Sequence, residues 1–148
     1  MKSKYEIGST APAFTLKTSA GDSVSLKQFL GKKNVLLIFY PGDDTPGCTA
    51  QLCAIRDDYA TFKKTNTVVF GVNHADKASH DAFIHKFGFQ FPLLIDKDRK
   101  VSKKYGAIKN MFGHESIRRS VVLIDKKGKL AYVKRGMPTD AEILTNLR

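Results

Sequence analysis

Residues 35–48 read Val35-Leu36-Leu37-Ile38-Phe39-Tyr40-Pro41-Gly42-Asp43-Asp44-Thr45-Pro46-Gly47-Cys48, and the chain changes character twice around them. The first six side chains are all apolar or aromatic, the pattern of a strand buried on both faces near the middle of a sheet. Pro41, Gly42, Asp43, Asp44, Thr45, Pro46 and Gly47 are turn formers and read as a loop. Leu52, Ile55, Tyr59 and Phe62 then recur at helical spacing, which predicts one helix over residues 47–64. Cys48 therefore falls where a buried strand gives way to a helix, at the rim where open α/β sheets place their ligands.

Working outward, the alternation at residues 13–17 and the apolar residues at 24–26 flank Ala20-Gly21-Asp22-Ser23, which predicts an N-terminal β-hairpin. A short helix over residues 25–30 ends at Gly31. Residues 67–72 form a second buried strand, and Phe83, Ile84 and Phe87 mark an amphipathic helix closed by Gly88. Pro92 precedes a third strand at residues 93–95, and a short helix through Val101 and Tyr105 stops at Gly106. Residues 120–124 and 130–133 pair across Asp125-Lys126-Lys127-Gly128, and Thr139 with Glu142 has the spacing of a capping box opening a last helix with Ile143, Leu144 and Leu147. Strands that alternate with helices early and pair antiparallel late predict an α/β fold, a central mixed β-sheet flanked by helices on both faces. That architecture, with its N-terminal β-hairpin, is thioredoxin-like. No repeat or linker interrupts the sequence, so a single domain over residues 1–148 is expected.

Composition narrows the function. The 148 residues are 42% hydrophobic, with ten Phe and five Tyr, enough to fill one core without a disulfide or metal staple. The longest apolar run, residues 35–40, is far short of the ~18 residues of a membrane span, and the N-terminus shows neither a secretory nor a transit pattern. A cytoplasmic address is the expectation. The 25 Lys and Arg against 14 Asp and Glu give +11, but the basic residues are scattered and carry no recognisable nucleic-acid motif. They read as a solvated surface, and no specific nucleic-acid or membrane partner is expected.

Chemistry concentrates at the cysteines. The unpaired N–H groups and positive dipole end of a helix's first turn favour a thiolate, which makes Cys48 a candidate nucleophile. Residues five apart on a helix have Cα atoms roughly 8.6 Å apart, beyond the ~7 Å a disulfide tolerates. Cys48 lies on the face of Leu52, Ile55, Tyr59 and Phe62, whereas Cys53 turns toward Asp57 and Lys64 and solvent. Should the two cysteines join, the first turns of the helix must melt. Cys48-x4-Cys53 and His80-x4-His85 also make a loose zinc pattern, but the 26 residues between the pairs are about twice the usual spacing. His80, in register with Phe83, Ile84 and Phe87, reads more simply as a partly buried packing histidine, so neither metal nor cofactor is expected. A thioredoxin-like disulfide oxidoreductase is the enzymatic alternative, disfavoured by the x4 spacing, and a basic binding module without catalysis is the other.

The run Pro41-x3-Thr45-x2-Cys48 resembles the active-site signature of the peroxiredoxins. The longer stretch from Tyr40 to Cys53 is similar to the bacterioferritin comigratory protein, or peroxiredoxin Q, branch, and the likeness extends to Gly8-x3-Pro12-x-Phe14, Ile55-Arg56-Asp57 and the segment beginning at Arg119. The resemblance implies a thiol-dependent peroxidase for hydrogen peroxide and organic hydroperoxides. Cys48 would be the peroxidatic cysteine, Cys53 the resolving one, and Thr45 would turn its hydroxyl to the thiolate and peroxide. Pro41 would shield the sulfur, and Arg119 would supply the fixed cation. Arg118 is the competing arginine, but neighbouring strand residues face opposite ways, so only one of the two can serve. The implied reductant is thioredoxin or a similar dithiol, and an intramolecular resolving cysteine points to a monomer. Gln51 departs from the Glu of many relatives, and Ile55 from a common Phe.

Overall fold

The computed structural model describes residues 5–147. The N-terminal hairpin is β1 (Thr15–Thr18) and β2 (Ser23–Ser25), followed by a 3-10 turn (Leu26–Phe29) capped by Ser25, whose N–H donates to Gln28 Oε1 at 2.6 Å. The deciding apolar run forms β3 (Asn34–Phe39), buried along its whole length. After it come α1 (Pro46–Asp57), α2 (Tyr59–Lys64), β4 (Thr67–Asn73), α3 (Lys77–Phe87), β5 (Leu93–Ile95) and α4 (Lys100–Lys104). The chain closes with β6 (Ile108–Met111), β7 (His114–Ile117), β8 (Ser120–Ile124), β9 (Leu130–Arg135) and α5 (Asp140–Leu144).

Seven strands make one mixed sheet in the order β2-β1-β5-β4-β3-β8-β9. β3 runs parallel to β4 and antiparallel to β8, and β4 runs parallel to β5. Strand alternation divides β3 between two cores. Val35, Leu37 and Phe39 join Phe14, Phe70, Tyr105 and Ile124 on one face. Leu36, Ile38 and Tyr40 join Cys48, Leu52, Ile55 and Phe62 on the other, so α1 lies against the sheet with Cys48 inward. Gly88 closes α3 with φ 67°, as its place at the end of the apolar repeat predicts.

Three expectations need correction. The single helix over residues 47–64 is two, bent at Asp58, which ends α1 and begins α2 with φ −99° and ψ 11°. The apolar repeat runs on through the bend because Ile55 and Phe62 are both buried, so periodicity alone does not register it. The β6–β7 ribbon is additional, a two-stranded sheet separate from the main one. The last helix ends at Leu144, short of Leu147, although Thr139 Oγ1 does accept the Glu142 N–H at 3.2 Å. Among the described residues no helix is long and apolar enough to cross a membrane.

Candidate active site

β3 delivers Tyr40 and Pro41 to the sheet edge, and the loop after them turns into α1 with Thr45 at the N-cap and Pro46 as the first helical residue. Proline is suited to that place because its missing N–H would be unbonded anyway. Cys48 is the third helical residue, among the first-turn N–H groups that have no partner within the helix. Its side chain has 0% exposure. The register Phe39↔Ser120 brings the residue before β8 alongside Tyr40 and above the start of α1. That residue is Arg119, whose Nη2 donates to Cys48 Sγ at 3.3 Å. Its Nη1 donates to Gln51 Oε1 at 2.8 Å. Gln51 is buried one turn after Cys48, on the same side of the helix. A Cβ at Gly47 would stand 3.0 Å from Arg119 Nη2, so the glycine is what lets the guanidinium close over the sulfur. Arg118, which with Arg119 lies between β7 and β8, is exposed and does not bond to the sulfur.

The other expected site residues are placed less uniformly. Cys53 is a free thiol like Cys48, yet it is half-buried, packed against the same core cluster, rather than turned to solvent. Pro41 is exposed and lines a cleft with Arg119. The Thr45 hydroxyl makes no hydrogen bond to the sulfur and donates instead to the Gly42 carbonyl at 3.1 Å. Thr45 itself is extended, φ −96° and ψ 152°, and its side chain makes no bond to the helix it precedes.

His80 also differs from expectation. Its side chain is fully buried, with Nδ1 2.7 Å from Asp43 Oδ2 and Nε2 3.1 Å from the Leu94 carbonyl. The ring therefore bridges the loop and β5 through both of its nitrogens. Asp43 also accepts from Tyr40 Oη at 2.6 Å and Ser79 Oγ at 2.7 Å. Burial pushes the Asp43 carboxyl up, but the bonds from His80, Tyr40 and Ser79 outweigh it and hold the group below its ordinary value. Burial, reinforced by the Asp43 charge, raises Tyr40 well above an ordinary phenol, so its hydroxyl stays a donor. The loop that carries Thr45 and leads into Cys48 is thereby anchored to α3 and β5. Residues 37 apart make this contact, and the sequence signals it only as an Asp in the loop and a His on an apolar helix face.

The AhpC/TSA family model matches residues 7–133. The chain belongs to that family. Among its peroxiredoxins it is 47% identical over 130 residues to the chloroplastic peroxiredoxin Q of Triticum aestivum, across 88% of this chain and 59% of that one. It is 40% identical over 142 residues to the putative peroxiredoxin bcp of Coxiella burnetii, across 93% of each. The chain thus spans about three fifths of the length of the chloroplastic relatives, and nearly all of the bacterial one. The crystal structure of a cysteine-to-serine variant of Xylella fastidiosa PrxQ superposes with a TM-score of 0.87 at 30% identity, covering 98% of this chain and 96% of that one. Mycobacterium tuberculosis peroxidoxin BcpB gives 0.85 at 27% identity, over 96% and 94%. The fold is therefore the thioredoxin-like peroxiredoxin fold, and the presence of Cys48 and Cys53 is consistent with a two-cysteine mechanism. Within this peroxiredoxin site, Gln51 is the residue whose contact the sequence did not reveal, marked there only by its departure from Glu.

Proposed function

We propose that the chain is a thiol peroxidase that reduces hydrogen peroxide and organic hydroperoxides, with Cys48 as nucleophile and Cys53 as resolving thiol. The observation that carries this reading is the Arg119 guanidinium 3.3 Å from a sulfur at the start of a helix. A peroxide reaches the buried sulfur past Arg119 and Pro41. The Cys48 thiolate then attacks the terminal oxygen: an S–O bond forms, the O–O bond breaks, and the alkoxide or hydroxide leaves with the electron pair and takes a proton. Arg119 and the first-turn N–H groups stabilise the charge on the departing oxygen. Thr45 joins them by rotating its hydroxyl away from Gly42. Cys53 attacks the resulting sulfenic acid and releases water, and an external dithiol of the thioredoxin class reduces the disulfide. Because the resolving thiol lies on the same helix, one chain completes the cycle as a monomer. A cytoplasmic, reducing setting suits such a cycle.

The test is mass spectrometry after one equivalent of hydrogen peroxide. The wild type is expected to lose two mass units as a Cys48–Cys53 disulfide. Cys53→Ser is expected to gain one oxygen on Cys48, and Cys48→Ser to consume no peroxide. Peroxide consumption by Cys48→Ser, or oxidation that begins at Cys53, would overturn the assignment.

A further inference from the structure

The lysines that the sequence scatters are gathered by the fold at the end of the sheet away from Cys48. β3 enters the sheet at Asn34, β4 enters at Thr67 and β8 leaves at Ile124, so the turns before β3, before β4 and after β8 share that end. Backbone oxygens tie the three together. The Gly31 N–H donates to the Lys126 carbonyl at 2.7 Å, and Asn66 Nδ2 donates to the Lys32 carbonyl at 2.7 Å. The first turn carries Lys32 and Lys33, the end of α2 carries Lys63 and Lys64, and the third turn carries Lys126, Lys127 and Lys129, all exposed. Among the described residues none of these seven lysines forms an ion pair. Asp125, the carboxylate of the third turn, accepts through Oδ1 from the Lys127 and Lys129 N–H groups at 2.9 and 3.0 Å. The N-terminal segment joins this end where the Gly8 N–H donates to the Leu130 carbonyl at 2.8 Å, and it adds Glu6 and Ile7. Ile7 is 61% exposed and Leu30 46% exposed, large aliphatic side chains left in water. Leu30 rests against the third turn, since a Cβ at Gly128 would stand 2.9 Å from Leu30 Cδ2, and Ile7 borders a cavity with Asn34 and Asp125.

The expectation of no membrane partner rests on the scatter of the lysines, which the fold undoes. Unpaired lysines on anchored turns, set around exposed aliphatic side chains, combine the two attractions that hold a protein on a bilayer: charge for anionic headgroups and apolar surface for the interface. A nucleic acid would use the charge but gives Leu30 and Ile7 nothing to enter. We propose that this end of the protein docks on an anionic lipid bilayer, with the lysines among the headgroups and Leu30 and Ile7 in the interface. The six residues of β3 span roughly 20 Å, so Cys48 and Arg119 at the far end of that strand face away from the lipid and stay open to dissolved peroxide and dithiol. The docking goes beyond the peroxidase reading and does not depend on it.

The experiment is co-sedimentation of the full chain with vesicles of phosphatidylcholine alone and of equimolar phosphatidylcholine and phosphatidylglycerol. Binding is expected to the mixed vesicles only, and is expected to be lost at about 1 M salt, where the Debye length is about 3 Å. Lys33→Glu combined with Lys126→Glu is expected to bind at least ~25-fold more weakly, about fivefold for each lysine removed. Both side chains are exposed on turns, so the fold is retained. Lys97→Glu combined with Lys100→Glu makes the same change in net charge beyond β5, at the other end of the sheet, and is expected to bind within about twofold of the wild type. Orientation has its own readout, because the chain contains no Trp. The emission of Leu30→Trp is expected to shift to the blue on mixed vesicles. Phe112→Trp, at the exposed tip of the ribbon that borders Pro41 and Arg119, is expected not to shift. Equal binding to both kinds of vesicle, or binding to neither, overturns the proposal. So does binding that survives the Lys33 and Lys126 substitutions, binding that the Lys97 and Lys100 substitutions abolish as readily, or a shift at position 112 without one at position 30. Tighter binding to duplex DNA than to mixed vesicles of equal phosphate concentration would give the lysines to nucleic acid and overturn it as well.

Discussion

Arg119 makes one bond to the reacting sulfur and one to the side chain that steers it. A free thiol at pH 7 is about 3% ionised, so complete ionisation raises the thiolate about 30-fold, roughly 2 kcal/mol. Peroxide reduction that owed its speed to ionisation alone would be limited to that factor. Arg119→Ala is therefore expected to lower the rate of Cys48 oxidation by clearly more than the accompanying fall in thiolate, and raising the pH is expected to restore only part of it. Full recovery at high pH would show that the guanidinium does nothing beyond ionising the thiol. Gln51 bears on the same charge. Its amide oxygen orients Arg119 without neutralising it, whereas a carboxylate there would hold the same bond and cancel part of the field at the sulfur. Gln51→Glu is expected to slow alkylation of Cys48 by iodoacetamide at pH 7 several-fold while leaving the fold intact, and an unchanged or faster rate would contradict this.

At the scale of the element, the proposed cycle asks two incompatible things of α1. The helix holds Cys48, Gln51, Leu52 and Ile55 inside the protein, yet Cys48 and Cys53 on an intact helix are roughly 8.6 Å apart at Cα. A disulfide needs less than ~7 Å, so the proposed Cys48–Cys53 pairing requires the first turns to unwind and expose these side chains. Amide hydrogen exchange over residues 48–55 is expected to accelerate on oxidation, and equal protection in both states would refute the intramolecular pairing. The far end of α1 holds a second strained contact. Burial, a hydrogen bond shared with Asp58, and the charges of Asp58 and Asp57 raise Asp140 to about 7, and Asp140 Oδ2 is buried without a partner. The unfolded group titrates near the ordinary value, so between about pH 4 and 7 the folded state holds a proton that the unfolded state has lost. Stability thus declines as pH rises through that window, and the whole cost is present above pH 7. Asp140→Asn is expected to stabilise the protein by about 1–2 kcal/mol at pH 8, allowing for partial exposure, with the gain vanishing near pH 4. Urea melts at both pH values check it. The elements themselves were legible where burial writes a long apolar pattern, as at residues 35–40 and 67–72. The β6–β7 ribbon was not, because it stands off the sheet, only Ile117 in it is fully buried, and alternation has little to act on. Its one local signal is Phe112-Gly113 with φ 53° and 77°, the paired positive angles of a two-residue hairpin turn.

For the whole molecule, the Asp43 network joins what the chain order separates: the end of β3 through Tyr40, the catalytic loop, α3 through Ser79 and His80, and β5 through the Leu94 carbonyl. Cys48, Thr45 and Arg119 could be expected from a short signature, whereas this joint depends on two strand–helix units being folded side by side, which no local pattern encodes. The groups that face His80 are Asp43 from the loop, Tyr40 from β3, Ser79 on its own helix, the Leu94 carbonyl from β5, and His74 at a longer distance. Asp43 is the carboxylate in direct contact with the ring, and its side chain is 6% exposed. Asp43→Asn keeps the shape but removes the charge that strengthens the bonds from Tyr40, Ser79 and His80, so a loss of about 1.5–3 kcal/mol at pH 7 is expected. Because the folded carboxyl titrates below its unfolded value, its contribution is present in full above about pH 4 and is lost as pH falls through the folded value. The gap between wild type and variant in urea melts is accordingly expected to be wide at pH 7 and to close below pH 4. A gap that stays constant to pH 3 would mean that shape, not charge, fastens the catalytic loop to the rest of the protein.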